Sequence, residues 1–252
     1  VECCNERAKA RKLSTIRAMF KYFFRTEKIS VDNAAKVAMP KLHDKEIIRL
    51  EVNEVSDLLN CAESGTGMTP QQKAYHENTK IRDIAILTLF LGTGIRISEL
   101  VGLNNEDIDF TANSFIVTRK GGNKTILYFS EEVADALAHY MAFKEDNKDI
   151  PEGEHALFLS LQMKRISIRA VENLVKKYSS IVTPLKKISP HKLRSTFGTQ
   201  LYRETKDIYV VADVLGHKDV NTTKKHYAAI SEDARRSVAD KVQLRASNNQ
   251  NK

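Results

Sequence analysis

Long apolar runs, paired cysteines and an apolar leader are all missing from this sequence. The most apolar run, residues 84–91, falls far below the roughly 18 residues that span a bilayer, so no segment reads as a membrane helix and no membrane partner is expected. Three cysteines cannot build a disulfide framework, and adjacent Cys3 and Cys4 lack the C-x-x-C spacing of a zinc site. The opening VECCNERAKA is charged throughout and reads as no secretory signal, which leaves a reducing cytoplasm as the default. The absence of an initiator Met points to a piece of a longer chain. What remains is ordinary globular material. Charged residues at 29% and hydrophobic residues at 42% exclude wholesale disorder. A chain of 252 residues makes one large domain or two smaller ones.

Acidic residues are scarce at the N-terminal end. Between Arg7 and Lys28 there are eight Lys or Arg and one acid, Glu27, and residues 1–49 carry +6 of the total +8. Such a surface suits a polyanion, because each neutralised phosphate releases a condensed counterion. A solvated helix face gives the same pattern, so charge alone nominates nucleic acid without establishing it.

Periodicity predicts a mainly helical chain. Leu13, Ile16, Phe20 and Phe23 share one stripe of a helix over 13–25, with Arg17, Lys21 and Arg25 recurring on another. Asp32 and Asn33 open a second helix that Pro40 ends, and 41–49 reads as a charged linker. Helices are expected at 53–62, 81–91, 95–101, 131–146, 167–181, 190–204 and 207–215, then at about 222–229 and 232–243 before a polar tail. The polar stretch 63–80 reads as a loop, and the β-rich runs 115–119 and 125–129 around Gly121-Gly122-Asn123 read as a hairpin. Ser189-Pro190 signals a capped helix start, and Gly216 a left-handed C-terminal cap.

Four segments carry chemistry together: GTGIRISELVGL (92–103), RKGGNK (119–124), HKLRSTFGTQL (191–201) and LGHKDVNTTKKHY (215–227). Each is weak alone. Gly92-Thr93-Gly94 follows a helical pattern and lacks the third glycine of a dinucleotide loop. A hairpin lysine is usually surface, and a late tyrosine is usually packing. In combination they present an Arg in a turn, a hairpin Lys, a His-x-x-Arg pair, a Leu-Gly-His and a Tyr ten residues after that His.

This order resembles the tyrosine recombinase (phage integrase) family, over about residues 50–243. The resemblance implies an α+β fold, mainly α with a small antiparallel β-sheet. It also implies a division into residues 1–41, the C-terminal part of a helical (SAM-like) core-binding DNA domain, a linker 42–49, and a catalytic domain 50–252. Carried over by position, Arg96, Lys120, His191, Arg194, His217 and Tyr227 are the implied catalytic residues, with Glu99 as a supporting orienter. Family members often show GKGNK where this chain has RKGGNK, so the extra glycine leaves Lys124 as the alternative to Lys120. Arg17, Lys21, Arg25, Arg119, Lys124 and Lys192 are candidate DNA contacts.

The residue types fit phosphodiester chemistry. Planar, permanently charged guanidiniums grip nonbridging oxygens through paired hydrogen bonds as negative charge grows on them. A tyrosine hydroxyl with an ordinary pKa of about 10 needs cations and a base before it attacks. His191 either accepts its proton or bonds the phosphate. The resemblance further implies a 3′-phosphotyrosine intermediate, no metal, no cofactor and no ATP, with double-stranded DNA as partner and a tetramer formed on it. It implies a bacterial, nucleoid-associated setting, and integration, excision or dimer resolution as the task. The rivals are a type IB topoisomerase-like strand transferase and a non-catalytic DNA-binding protein on the same fold. A metal-dependent nuclease built on His43, His76 and His155 is weaker, because these histidines are scattered without ligand spacing.

Overall fold

The computed structural model describes residues 5–42, 48–119, 122–217 and Val220. The chain divides into two compact units, Val1–Ile47 and Ile48–Lys252.

In the first unit, α1 (Glu6–Arg25) starts earlier than the apolar stripe suggests, because the Asn5 side chain accepts from the Ala8 amide at 2.9 Å and caps it. The stripe is only partly covered: Leu13, Phe20 and Phe23 are half-buried and Ile16 is exposed. The expected second helix reduces to one 3₁₀ turn, Asn33–Lys36. Its carbonyls are already engaged. Arg17 donates Nε to Ala34 O and Nη2 to Ala35 O, each at 3.1 Å, and Nη2 also reaches Val37 O.

The second unit is built around α4 (Lys80–Thr93), in which Ala85, Ile86, Leu87, Leu89 and Phe90 are wholly buried. α2 (Val52–Ser64), α6 (Glu131–Glu145) and α8 (Pro190–Thr205) pack on it, and α7 (Ile168–Val182) packs on α2. The short α5 (Ile97–Gly102) leads into an antiparallel sheet ordered β1 (Ile108–Asp109), β2 (Ser114–Thr118), β3 (Lys124–Tyr128). Its register pairs Phe115 with Leu127 facing inward and Ile116 with Ile126 facing out. α9 (Ile208–Leu215) packs on α8. The expected helices at about 222–229 and 232–243 lie outside the described residues. Among the described residues, no helix is long and apolar enough to cross a membrane.

The stretch 63–80 is not all loop, since α3 (Pro70–Glu77) forms within it. Thr69 accepts from the Gln72 amide at 3.3 Å and Gln72 accepts from the Thr69 amide at 2.9 Å, a reciprocal box that starts a polar helix with Pro70 in its first turn. The hairpin also gains a third strand, β1, too short to show alternation.

One buried carboxylate ties α4 to α7, and the Tyr178 hydroxyl extends the network to α3. Asp83 is 1% exposed and accepts from Thr79 Oγ1 (3.1 Å), Arg82 Nη2 (2.8 Å), Lys177 Nζ (2.8 Å) and Tyr178 Oη (2.9 Å). The Tyr178 hydroxyl also meets His76 Nδ1 at 3.1 Å. Burial, reinforced by the Asp83 charge, pushes the Tyr178 pKa up, so it stays a donor. Asp83→Ala strands two cations that are mostly out of water. It should cost about 3–5 kcal/mol in urea unfolding, whereas a neutral result would show the network contributes nothing net.

Burial, and then the Lys177 charge, hold His76 below its ordinary 6.5. Above that pH the ring is neutral folded and unfolded, and stability is full. Below it the unfolded chain takes the proton first, so stability falls. Unfolding free energy should therefore drop as the pH falls below about 6.5, and His76→Gln should flatten that slope; an unchanged slope would assign it to other groups.

Candidate active site

The site is assembled at the two ends of α4 and α9. α4 stops at Gly94, whose φ of +62° is left-handed and whose missing Cβ leaves room for the Phe197 ring. Two residues on, Arg96 caps α5 in extended conformation. Buried Glu99 holds it twice, Oε2 accepting from the Arg96 amide at 3.0 Å and Oε1 from Arg96 Nη1 at 2.6 Å. Backbone and guanidinium are thus set by one carboxylate.

α8 begins at Pro190 after Ser189, whose side chain makes no capping bond, so the start rests on proline's fixed φ. His191 lies exposed in the first turn, and one turn later Arg194 is 6% exposed. Thr196 anchors this helix, donating to Lys192 O at 2.9 Å and accepting from the Leu50 amide at 3.0 Å.

α9 ends in a left-handed Gly216, φ +60°. The His217 amide donates to Ala212 O and the Gly216 amide to Asp213 O, both at 2.8 Å, which satisfies two of the helix's last carbonyls. Arginines take the rest. Arg119 Nη2 donates to Val214 O at 3.3 Å. Arg96 Nη2 donates to Leu215 O at 3.2 Å and to Gly216 O at 2.9 Å. Arg194 donates Nη2 to Leu215 O and Nη1 to Gly94 O. Three guanidiniums therefore converge on the negative end of one helix, with half-buried His217 beside them.

The structure gathers Arg96, Glu99, Arg119, Arg194 and His217, and sets His191 one turn from Arg194. Lys192 is half-buried on α8, and exposed Lys124 opens β3 opposite Thr118. Arg17, in the other unit, is engaged with its own backbone carbonyls, while Lys21 and Arg25 are exposed on α1. Lys120 and Tyr227 lie outside the described residues. The bonds from Arg119 and Arg96 to α9 were missed from sequence, because their acceptors are main-chain carbonyls and leave no residue-type signal. Of the histidines once weighed for a metal, His76 is buried on Tyr178 and His155 faces Glu106 at 3.6 Å, while His43 is outside the described residues. No group of three metal-ligating side chains occurs among the described residues.

A mainly helical unit presenting paired guanidiniums beside histidines is an arrangement suited to phosphodiester chemistry. The model of the phage integrase family matches residues 48–233. The tyrosine recombinase XerC of Syntrophus aciditrophicus is 33% identical over 242 residues, 94% of this chain and 74% of that protein. Two solved structures share the fold. XerH recombinase bound to a palindromic difH substrate aligns at TM-score 0.71 and 16% identity, covering 95% of this chain and 73% of that one. The Tn1549 transposon integrase in complex with circular intermediate DNA aligns at TM-score 0.72 and 20% identity, covering 94% and 80%. The chain belongs to the phage integrase family, and it is a site-specific tyrosine recombinase.

Gly216 is required for its left-handed φ, and a Cβ there would also displace the Arg119 guanidinium. Gly216→Ala should lower stability by at least the roughly 1–2 kcal/mol of a left-handed L-residue, measured by thermal unfolding. A change within error would mean α9 does not end this way in solution.

Proposed function

We propose that the chain cuts and rejoins double-stranded DNA by transesterification at Tyr227. The observation that carries this reading is the convergence of Arg96 and Arg194 on the Leu215 carbonyl, which sets two permanent cations side by side where a phosphate's nonbridging oxygens are gripped. Tyr227 Oη attacks phosphorus, the bond to the 5′ oxygen breaks, and a 3′-phosphotyrosyl link forms. His191 accepts the tyrosine proton or bonds the phosphate, and His217 donates to it. Lys120 protonates the departing 5′ oxygen, with Lys124 the alternative. A second strand's 5′-hydroxyl then attacks the link and returns the tyrosine. Bond energy is conserved in the covalent intermediate, so no ATP is needed.

Residues 1–41 act as the C-terminal part of a core-binding domain, a role supported by exposed Lys21 and Arg25 on α1 and by its half-covered apolar stripe. Lys124 and Lys192 contribute phosphate contacts. Four copies assemble on two duplexes for paired strand exchange, at the nucleoid of a bacterial cell, in integration, excision or dimer resolution.

The test uses a nicked duplex bearing the site recovered from randomised DNA by selection on the protein. The unaltered chain should form a protein–DNA adduct that survives denaturing electrophoresis. Tyr227→Phe, which removes one oxygen, should bind the duplex with nearly unchanged affinity and form no adduct. An adduct with the Phe variant, or none with the unaltered chain, overturns the reading.

A further inference from the structure

Arg119 stands just before Lys120, yet its side chain turns toward α9. The main chain at its base is closed as a turn: the Arg119 amide donates to Asn123 O at 2.8 Å, and the Gly122 amide donates to Arg119 O at 3.0 Å. Its guanidinium donates to Val214 O and occupies the space above Gly216 that a side chain would fill. The acceptor is one residue from Leu215, whose carbonyl receives both Arg96 and Arg194. The base of the β2–β3 turn is therefore bonded to the same helix end that carries the guanidinium pair.

The arrangement does little for Arg119's own hydrogen bonding, because its Nε is buried with no acceptor among the described residues. Its gain is positional. Consecutive Cα atoms lie about 3.8 Å apart, so holding Arg119 limits where the next residue's backbone can be. We infer that Arg119 is a positioning residue that ties the hairpin to the α9 end and so sets the proton donor for the leaving 5′ oxygen. This rests on the reading of Lys120 as that donor. A lysine on an untethered hairpin samples many positions, and acid catalysis demands hydrogen-bond reach of the departing oxygen.

The leaving group separates this role from a merely structural one. A 5′-bridging sulfur departs without a proton, because a thiol is far more acidic than an alcohol. On the selected nicked duplex with ordinary oxygen, Arg119→Ala should cleave more slowly by about 10²-fold, within the range of lost acid catalysis. With sulfur at the bridging 5′ position it should return to within a few-fold of the unaltered chain. Arg119→Lys, which keeps a donor for Val214 O, should fall between them on oxygen; a Lys variant as slow as Ala would overturn the tether. Slow cleavage by Arg119→Ala on both substrates, or no slowing on either, also overturns the inference, the first by showing that Arg119 acts on the fold or the guanidinium pair. Lys120→Ala and Lys124→Ala run alongside. If sulfur fails to rescue Lys120→Ala, the donor assignment itself falls. If Lys120→Ala is rescued and Arg119→Ala is not, only the positioning role falls.

Discussion

A helix end leaves its last carbonyls without partners, and at α9 that ordinary deficit organises the whole site. Two of the carbonyls are satisfied by the turn through Gly216 and His217, and those of Val214, Leu215 and Gly216 are left to side chains. Arginine suits them because its fork presents several donors in one plane and its charge is favoured at a helix C-terminus. Like charges crowded together would ordinarily repel. The carbonyl oxygens and the Glu99 carboxylate offset that repulsion, so the cations are preorganised for the phosphate grip proposed above.

The rest of the second unit serves to bring three chain segments to that point. α4, which has no exposed residue, fixes where Gly94 and Arg96 emerge. α8 delivers Arg194 from the part packed through Leu193 and Thr196, while His191, in its first turn, stays exposed. The Asp83 network acts one layer below. It joins α4 to α7 through charge-assisted hydrogen bonds and reaches α3 through His76 and Tyr178, which sets the frame from which α4 projects.

Local signals made much of this legible from sequence. The apolar block at 84–91 announced the central helix, Gly216 announced the end of α9, and Ser189-Pro190 announced the start of α8. Failures occurred where local and tertiary signals part. α3 was missed because it is polar almost all round, burying only His76, so it has no apolar period; its start box, Thr69 to Gln72, was the available sign. Arg17 recurs with Lys21 and Arg25 on a basic stripe, yet it bonds to a turn 17 residues away that no pattern on α1 reveals. The partners of Arg119 were invisible for the same reason, since any residue supplies a carbonyl.

Those carbonyl bonds also bear on how the molecule reaches its native state. Arg119 bonds an acceptor 95 residues away, and Arg96 bonds acceptors 119 and 120 residues away. Closing loops of that size carries an entropy penalty that a single hydrogen bond, worth about 1 kcal/mol net, does not repay. They are held only where the packing of α4, α8 and α9 has already brought the ends together. The guanidinium cluster thus depends on the packing of the whole unit, and any loosening of α4, α8 or α9 disperses the charge it concentrates.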